Sequence, residues 1–326
     1  MSAADTMPEL RLLVVRLGAM GDVLHALPAV GSLKASHPAA RITWAIEPRW
    51  APLLEGNPYL DRVVMIERGS LASLRESWRE LRSEPYHCAV DFQGLLKSAL
   101  VAKLARPGRL FGFDRCQVRE RAANLFYSDT VHSSAAHRVD QCLDLAAAVP
   151  GTNTRFRDFP LPAGRPEGEL PAGDFVLASP VAGWRGKQWP LEFYAALAVR
   201  LRRELNLPLV WNVPSAGSVP AIEGVGLHVS SLEGLIWATR RATAIVGVDS
   251  GPMHLAAALA KPGVAIFGPT DPARNGPYQA GAGLRVLRDA GAVTSYQRGD
   301  TIDDSMRRIS PDQVFETLRE ALGFAA

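Results

Sequence analysis

Two series of short, almost continuously apolar runs, each alternating with stretches of helical period, occupy most of this chain. The first opens with Leu10-Arg-Leu-Leu-Val-Val-Arg16, then Gly18-Ala-Met-Gly21-Asp22, then a helical pattern over 23–36 that Pro38 closes. Runs that are apolar on both faces belong to parallel sheets, whose crossover helices cover both sides. The strand pattern at 41–46 completes a βαβ unit, and strands at 62–66, 87–91 and 110–112 with helices at 71–83, 95–105 and 136–149 continue it. Periodicity lapses over 150–173, where Pro and Gly recur, which reads as a linker. A second series follows. Its strands fall at 175–179, 207–213, 243–249, 263–268 and 284–287, and its helices at 191–205, from Ser231, at 250–260 and at 311–322. Two such series predict an α/β protein of two Rossmann-like, doubly wound domains facing across a cleft. Their expected extents are 1–160 and 161–310, with 311–326 as a C-terminal helix.

Length and composition agree with two cores. The chain has 326 residues, 47% hydrophobic and 21% charged, which excludes collagen-like, disordered and disulfide-scaffold classes. No apolar run approaches the roughly 18–20 residues of a membrane span. The first ten residues lack the basic and apolar regions of a signal peptide. Cys88, Cys116 and Cys142 are odd in number and form no CxxC, so a reducing cytoplasm is expected. Up to Arg165 there are 21 Lys+Arg against 17 Asp+Glu, an excess of +4, while the remainder has 15 against 16. A basic first half suits an anionic partner, although ordinary surface charge explains it equally well.

Several chemistries are missing from the sequence. It has no GxGxxG, no GxxxxGK[ST], no GxSxG, no Asp-x-Asp and no HExxH. A metal-independent reaction is therefore favoured, and no bound cofactor and no nucleic-acid partner are expected.

Ligands of doubly wound sheets bind where the strands end, so the loops after strands hold the candidates. Asp22 follows the glycine turn after the first strand. It is either a helix N-cap or a carboxylate placed to take a proton from a hydroxyl. The segment Ser179-Pro-Val-Ala-Gly183-Trp-Arg185-Gly-Lys187-Gln-Trp-Pro190 is either a solvated basic loop or a phosphate site in which Lys187 acts as a point charge beside Gly183. In Val248-Asp249-Ser250-Gly251-Pro252-Met253-His254 a strand turns straight into a helix, so the N–H groups of Ser250 and Gly251 can cradle a phosphate with His254 nearby. Capping by Asp249 and a buried His254 are the alternatives. Gln93, Lys97, Arg115, Arg119 and Arg121 follow strands of the basic half and are candidate contacts for an anionic acceptor. Arg119 and Glu120 could instead form a structural pair. Together these loops suit transfer from a diphosphate-activated donor to a hydroxyl.

The segments Arg16-Leu-Gly-Ala-Met-Gly-Asp-Val-Leu-His25, Asp91-Phe-Gln-Gly-Leu-Leu-Lys-Ser98, Gly112-Phe-Asp with Arg119-Glu120, Lys187-Gln-Trp-Pro190, Val248-Asp-Ser-Gly-Pro-Met-His-Leu255 and Gly268-Pro-Thr-Asp-Pro272 occur in that order. They resemble the bacterial lipopolysaccharide heptosyltransferases, and heptosyltransferase I in particular. The resemblance implies a GT-B fold and inverting, metal-independent transfer of L-glycero-D-manno-heptose from ADP-heptose to the Kdo of the inner core. It implies Asp22 as general base and Lys187, Asp249, Ser250, Gly251 and His254 as donor-binding residues. It also implies that the last helix packs back on the first domain. The acceptor, Kdo-lipid A, would bring a cytoplasmic protein into peripheral contact with the inner membrane. The sequence departs from the family at Trp211-Asn-Val-Pro-Ser-Ala-Gly-Ser218, which lacks the usual acid, and at Ser230, where heptosyltransferase I carries Met. A GT-B transferase with another donor and glycan, and a silent nucleotide- or glycan-binding homologue, are the competing readings.

Overall fold

In the computed structural model, which describes residues 9–278 and 283–324, the apolar runs pair into two separate sheets of six strands each, every pairing parallel. The chain divides into two compact units, the first up to Pro162 and the second from Ala163.

The first unit contains β1 (Arg11–Val15), α1 (Met20–Ser36), β2 (Arg41–Ile46), β3 (Arg62–Met65), α2 (Leu71–Leu81), β4 (Cys88–Asp91), α3 (Leu96–Leu104), β5 (Arg109–Phe113), β6 (Asp129–Val131) and α4 (Arg138–Ala147). Its strand order is β3-β2-β1-β4-β5-β6. That order reverses between β1 and β4, and the crevice outside their carboxyl ends is where such sheets take ligands. Leu12 to Val15, Ile42, Trp44, Ala89 and Val90 are fully buried, as two covered faces require.

The second unit contains β7 (Val176–Ser179), α5 (Leu191–Leu205), β8 (Leu209–Val213), β9 (Val225–Val229), α6 (Leu232–Arg241), β10 (Ala244–Val248), α7 (Gly251–Ala258), β11 (Gly263–Phe267), α8 (Pro272–Asn275), β12 (Leu284–Arg288), α9 (Asp304–Arg307) and α10 (Pro311–Ala321). The order β12-β11-β10-β7-β8-β9 reverses between β7 and β10. Trp189, Tyr194 and Trp211 fill the core edge to face, and the Trp189 indole N–H donates to the Ile309 carbonyl at 2.8 Å. That bond pins the end of the loop carrying Lys187.

Two expectations change. The sheets gain β6 and β9, which the sequence does not mark as strands. Both are edge strands with mostly exposed or half-buried residues, so neither has an apolar run. The helix α10 belongs to the second unit. It buries Val314, Phe315 and Leu318 in the second unit's own core, with Leu197 and Leu201 of α5. Arg200 of α5 fixes it further, pairing with Asp312 and Glu316 and lying 4.0 Å over the Phe315 ring. The stretch 150–173 is no free tether: Phe156 N–H bonds to Ser32, and Glu167 accepts from both the N–H and the hydroxyl of Ser231 at 2.7 Å.

Candidate active site

The loop after β1 turns at once into α1, whose N-cap is Ala19. Asp22 is therefore not the cap but a first-turn residue, where the helix dipole favours an anion. Arg16 Nη2 lies 2.7 Å from its Oδ2 and Arg119 Nη1 lies 3.2 Å from the same oxygen. The Asp22 side chain is 27% exposed. Burial works against its ionisation, yet Arg16, followed by Arg119, His25 and Arg138, outweighs burial and holds the carboxyl far below the usual range. Arg16 was not a candidate from sequence. A lone cation closing an apolar strand was the available signal, since burying it needs a partner.

Beside this carboxylate, β4 ends in a second and different one. Asp91 is fully buried and accepts from the N–H groups of Gln93 and Gly94 and from the hydroxyls of Ser98 and Tyr127. No cation is among these four partners, and burial pushes its pKa up. It shapes the turn after β4. Gln93 is buried, and its side-chain oxygen accepts from Leu17 N–H at 2.8 Å. That bond ties the turn after β4 to the glycine turn after β1 across the reversal point.

The cations expected to meet an acceptor divide into two kinds. Lys97 bonds Glu47 at 3.3 Å, and Arg49 and Arg68 share that carboxylate. Arg115 and Arg121 are exposed. Neither has an ion-pair partner among the described residues. Arg119 turns to Asp22, whereas the neighbouring Glu120 accepts from Leu96 N–H at the start of α3 at 2.6 Å. The two adjacent charges serve different partners rather than each other.

In the second unit the loops after β7 and β10 meet at the reversal point. Lys187, at the end of a short 3-10 turn over Arg185–Lys187, lies 2.9 Å from Asp249 Oδ2. His254 Nε2, one turn into α7, lies 3.5 Å from Asp249 Oδ1. All three are enclosed, with side-chain exposures of 13%, 5% and 9% for Lys187, Asp249 and His254. Burial opposes ionisation of Asp249, but His254 and Lys187 more than offset it and depress its pKa strongly. Lys187 also stands 4.3 Å over the Trp184 ring.

The cap of α7 is Ser250, not Asp249, and its side chain makes no capping bond. Among the described residues, the Ser250 hydroxyl is buried without a hydrogen-bond partner, as is that of Thr270 after β11. Buried polar groups normally find partners, so the helix start has a vacant donor beside the N–H groups of Ser250 and Gly251. Gly183 is exposed, and a Cβ placed there would meet nothing within 4 Å. Among the described residues nothing occupies the space a side chain would take at that point. The structure thus brings together Lys187, Asp249, Ser250, Gly251 and His254.

Comparison with known proteins follows the same lines. The sequence profile of glycosyltransferase family 9 (heptosyltransferase) matches residues 74–303. Lipopolysaccharide heptosyltransferase 1 of Escherichia coli strain K12 is 31% identical over 292 residues, covering 82% of this chain and 91% of that protein. Its namesake from Pseudomonas aeruginosa is 29% identical, covering 82% and 81%. Among solved structures, the E. coli heptosyltransferase WaaC with ADP-2-deoxy-2-fluoro heptose superposes with a TM-score of 0.76 at 24% identity over 95% of this chain and 99% of that one. E. coli ADP-heptose lps heptosyltransferase II gives 0.76 at 23% identity, over 96% and 98%.

Proposed function

The chain belongs to glycosyltransferase family 9, the heptosyltransferases, and from that premise we propose that it moves L-glycero-D-manno-heptose from ADP-heptose to the Kdo of the lipopolysaccharide inner core, inverting the anomeric centre. The observation that carries the donor half is the enclosed Lys187–Asp249–His254 group beside the vacant hydroxyl of Ser250. Asp249 aims Lys187 and His254. The N–H groups opening α7 supply fixed dipoles for a diphosphate. As the bond to the sugar breaks, the charge gathering on the nucleoside diphosphate is met by Lys187 and these donors, which leaves no task for a divalent ion. Gly183 gives a phosphate or sugar close access to the loop.

In the first unit Asp22 takes the proton of the acceptor hydroxyl. Arg115, Arg119 and Arg121 meet the anionic groups of the acceptor, for which bidentate guanidinium contacts are suited. Gln93 supports this site by bracing the turn, and Lys97 by its place on Glu47. Among the described residues no helix is long and apolar enough to cross a membrane. We assign the protein to the cytoplasm, reaching a lipid-linked acceptor at the inner-membrane face through these exposed arginines.

The test is turnover of ADP-heptose on a soluble Kdo glycoside after exhaustive chelation, with the product anomer read by NMR. A panel of nucleoside diphosphates measured by calorimetry accompanies it. The reading expects ADP to bind tightest, an inverted product and full activity without metal. Tighter binding of another nucleotide would replace the donor, a retained anomer the mechanism, and a strict metal requirement the role given to Lys187.

A further inference from the structure

Asp22 carries two guanidinium groups on one oxygen, and the two are not equivalent. The Arg16 side chain is 7% exposed, and its Nη1 donates to the Phe92 carbonyl, so it is built into the β1–β4 crevice. The Arg119 side chain is 49% exposed and meets no other carboxylate among the described residues. Its backbone is nonetheless fixed. Val118 is buried, Glu120 N–H donates to the Gly94 carbonyl at 3.0 Å, and the Glu120 carboxylate holds Leu96 N–H. A change of partner by Arg119 therefore needs only rotation of its side chain.

A carboxylate between two cations is a poor proton acceptor, whereas a general base works best when its basicity matches the task. The other groups facing Asp22 offer little adjustment. His25, on its own helix, is buried edge-on to His137 at 5.7 Å. Arg138 and Cys142 face it from α4, and the Cys142 thiol is pushed up to about 11 by burial, so it stays neutral. Arg119 is the cation that a ligand arriving from solvent can draw away.

We propose that Arg119 is a positioning residue that couples acceptor binding to base strength. An anionic group of the acceptor takes its guanidinium from Asp22, and the carboxylate left with Arg16 becomes the stronger base. The acceptor O–H proton then passes to Asp22, the freed oxygen pair forms the bond to the anomeric carbon, and the pair of the breaking C–O bond leaves with the diphosphate. Until an acceptor arrives, the two arginines keep Asp22 weak, so an attacking water is poorly activated too. This inference rests on the reading that Asp22 is the base and the acceptor anionic.

The experiment uses the full chain, saturating ADP-heptose and two soluble acceptors, the methyl glycoside of Kdo and its C1 carboxamide. For the wild type, the carboxamide should lower kcat by roughly tenfold as well as raise KM. For Arg119→Ala, KM should rise on the carboxylate acceptor, and the gap in kcat between the two acceptors should close. Arg119→Lys should restore part of the difference in kcat. A wild-type kcat that is the same on both acceptors, with only KM altered, would make Arg119 a plain binding group and overturn the coupling. A gap in kcat that persists undiminished in Arg119→Ala would overturn it equally. Turnover of neither glycoside by the wild type would instead overturn the acceptor assignment, and the coupling with it.

Discussion

Asp22 and Asp249 lie beyond the two strands that flank the order reversal in sheets of the same topology, Asp22 after the first strand of its unit and Asp249 after the fourth of its own. Burial opposes the charge of each and nearby basic side chains overcome it. The difference lies in how these partners are arranged. Asp249 has one partner on each oxygen, the Lys187 ammonium on Oδ2 and the His254 imidazole on Oδ1, and all three side chains are enclosed. Asp22 takes both on Oδ2, one enclosed and one open to solvent. The first arrangement is a strut, suited to aiming donors at a ligand that stays anionic throughout. The second leaves one partner exchangeable, which is what a group that must change protonation state requires.

The sharpest way to break this contrast is to remove each charge in turn. Asp22→Asn should lower kcat by about 10²–10⁴-fold, the usual contribution of a positioned base, with donor affinity by calorimetry nearly unchanged. Asp249→Asn should instead weaken donor binding, because Lys187 and His254 lose the group that aims them, and should cost more in folding. Breaking a buried pair costs up to about 3–5 kcal/mol, and the slight exposure of Lys187 places this one at the lower end. Equal effects of the two variants on kcat and on denaturant midpoint would dissolve the distinction.

Acid unfolding sharpens it further. A carboxyl whose folded pKa is depressed adds stability that is complete above its unfolded value, near 3.8, and is lost as pH falls below it. Both Asp22 and Asp249 act in this sense. Asp91 acts in the opposite one: its raised pKa means stability falls as pH climbs above the ordinary carboxylate range. The fall in Tm between pH 5 and pH 3 should therefore be shallower in Asp249→Asn than in the wild type. In Asp91→Asn, which removes a group that opposes this fall, the slope should steepen on the high side of that window. Unchanged slopes in both variants would show that other carboxylates dominate the acid transition.

The sequence made the βα alternation and the loops at the strand ends plain, because interior parallel strands are apolar on both faces. Its blind spots have physical causes. The edge strands β6 and β9 lack that signature, and β6 is only three residues long. Residue type allows a capping role for Asp22 and Asp249 beside a functional one, but the caps are Ala19 and Ser250, since backbone geometry rather than side-chain preference sets where α1 and α7 begin. The arginine that completes the Asp22 site from outside β1 lies 97 residues away in the chain. Arg119 and Glu120 read as a pair only because adjacency is visible in a sequence and direction is not.

That last point gives the smallest and most discriminating prediction. Glu120 accepts from Leu96 N–H at the first turn of α3, where an anion is worth about 0.3–1 kcal/mol and a capping acceptor about 1 kcal/mol. Glu120→Gln keeps an oxygen for the N–H and loses only the charge, so it should cost a few tenths of a kcal/mol in urea denaturation, while Glu120→Ala should cost about 1 kcal/mol. Neither change touches the guanidinium of Arg119, which is committed to Asp22. Acceptor KM in Glu120→Gln should thus stay near the wild-type value, and raising ionic strength should increase it as much as in the wild type, since the exposed Arg115 and Arg121 are still present. If Glu120→Gln raised acceptor KM as far as Arg119→Ala does, the two residues would be acting as one unit, and the separation between a helix brace and an exchangeable cation would fail.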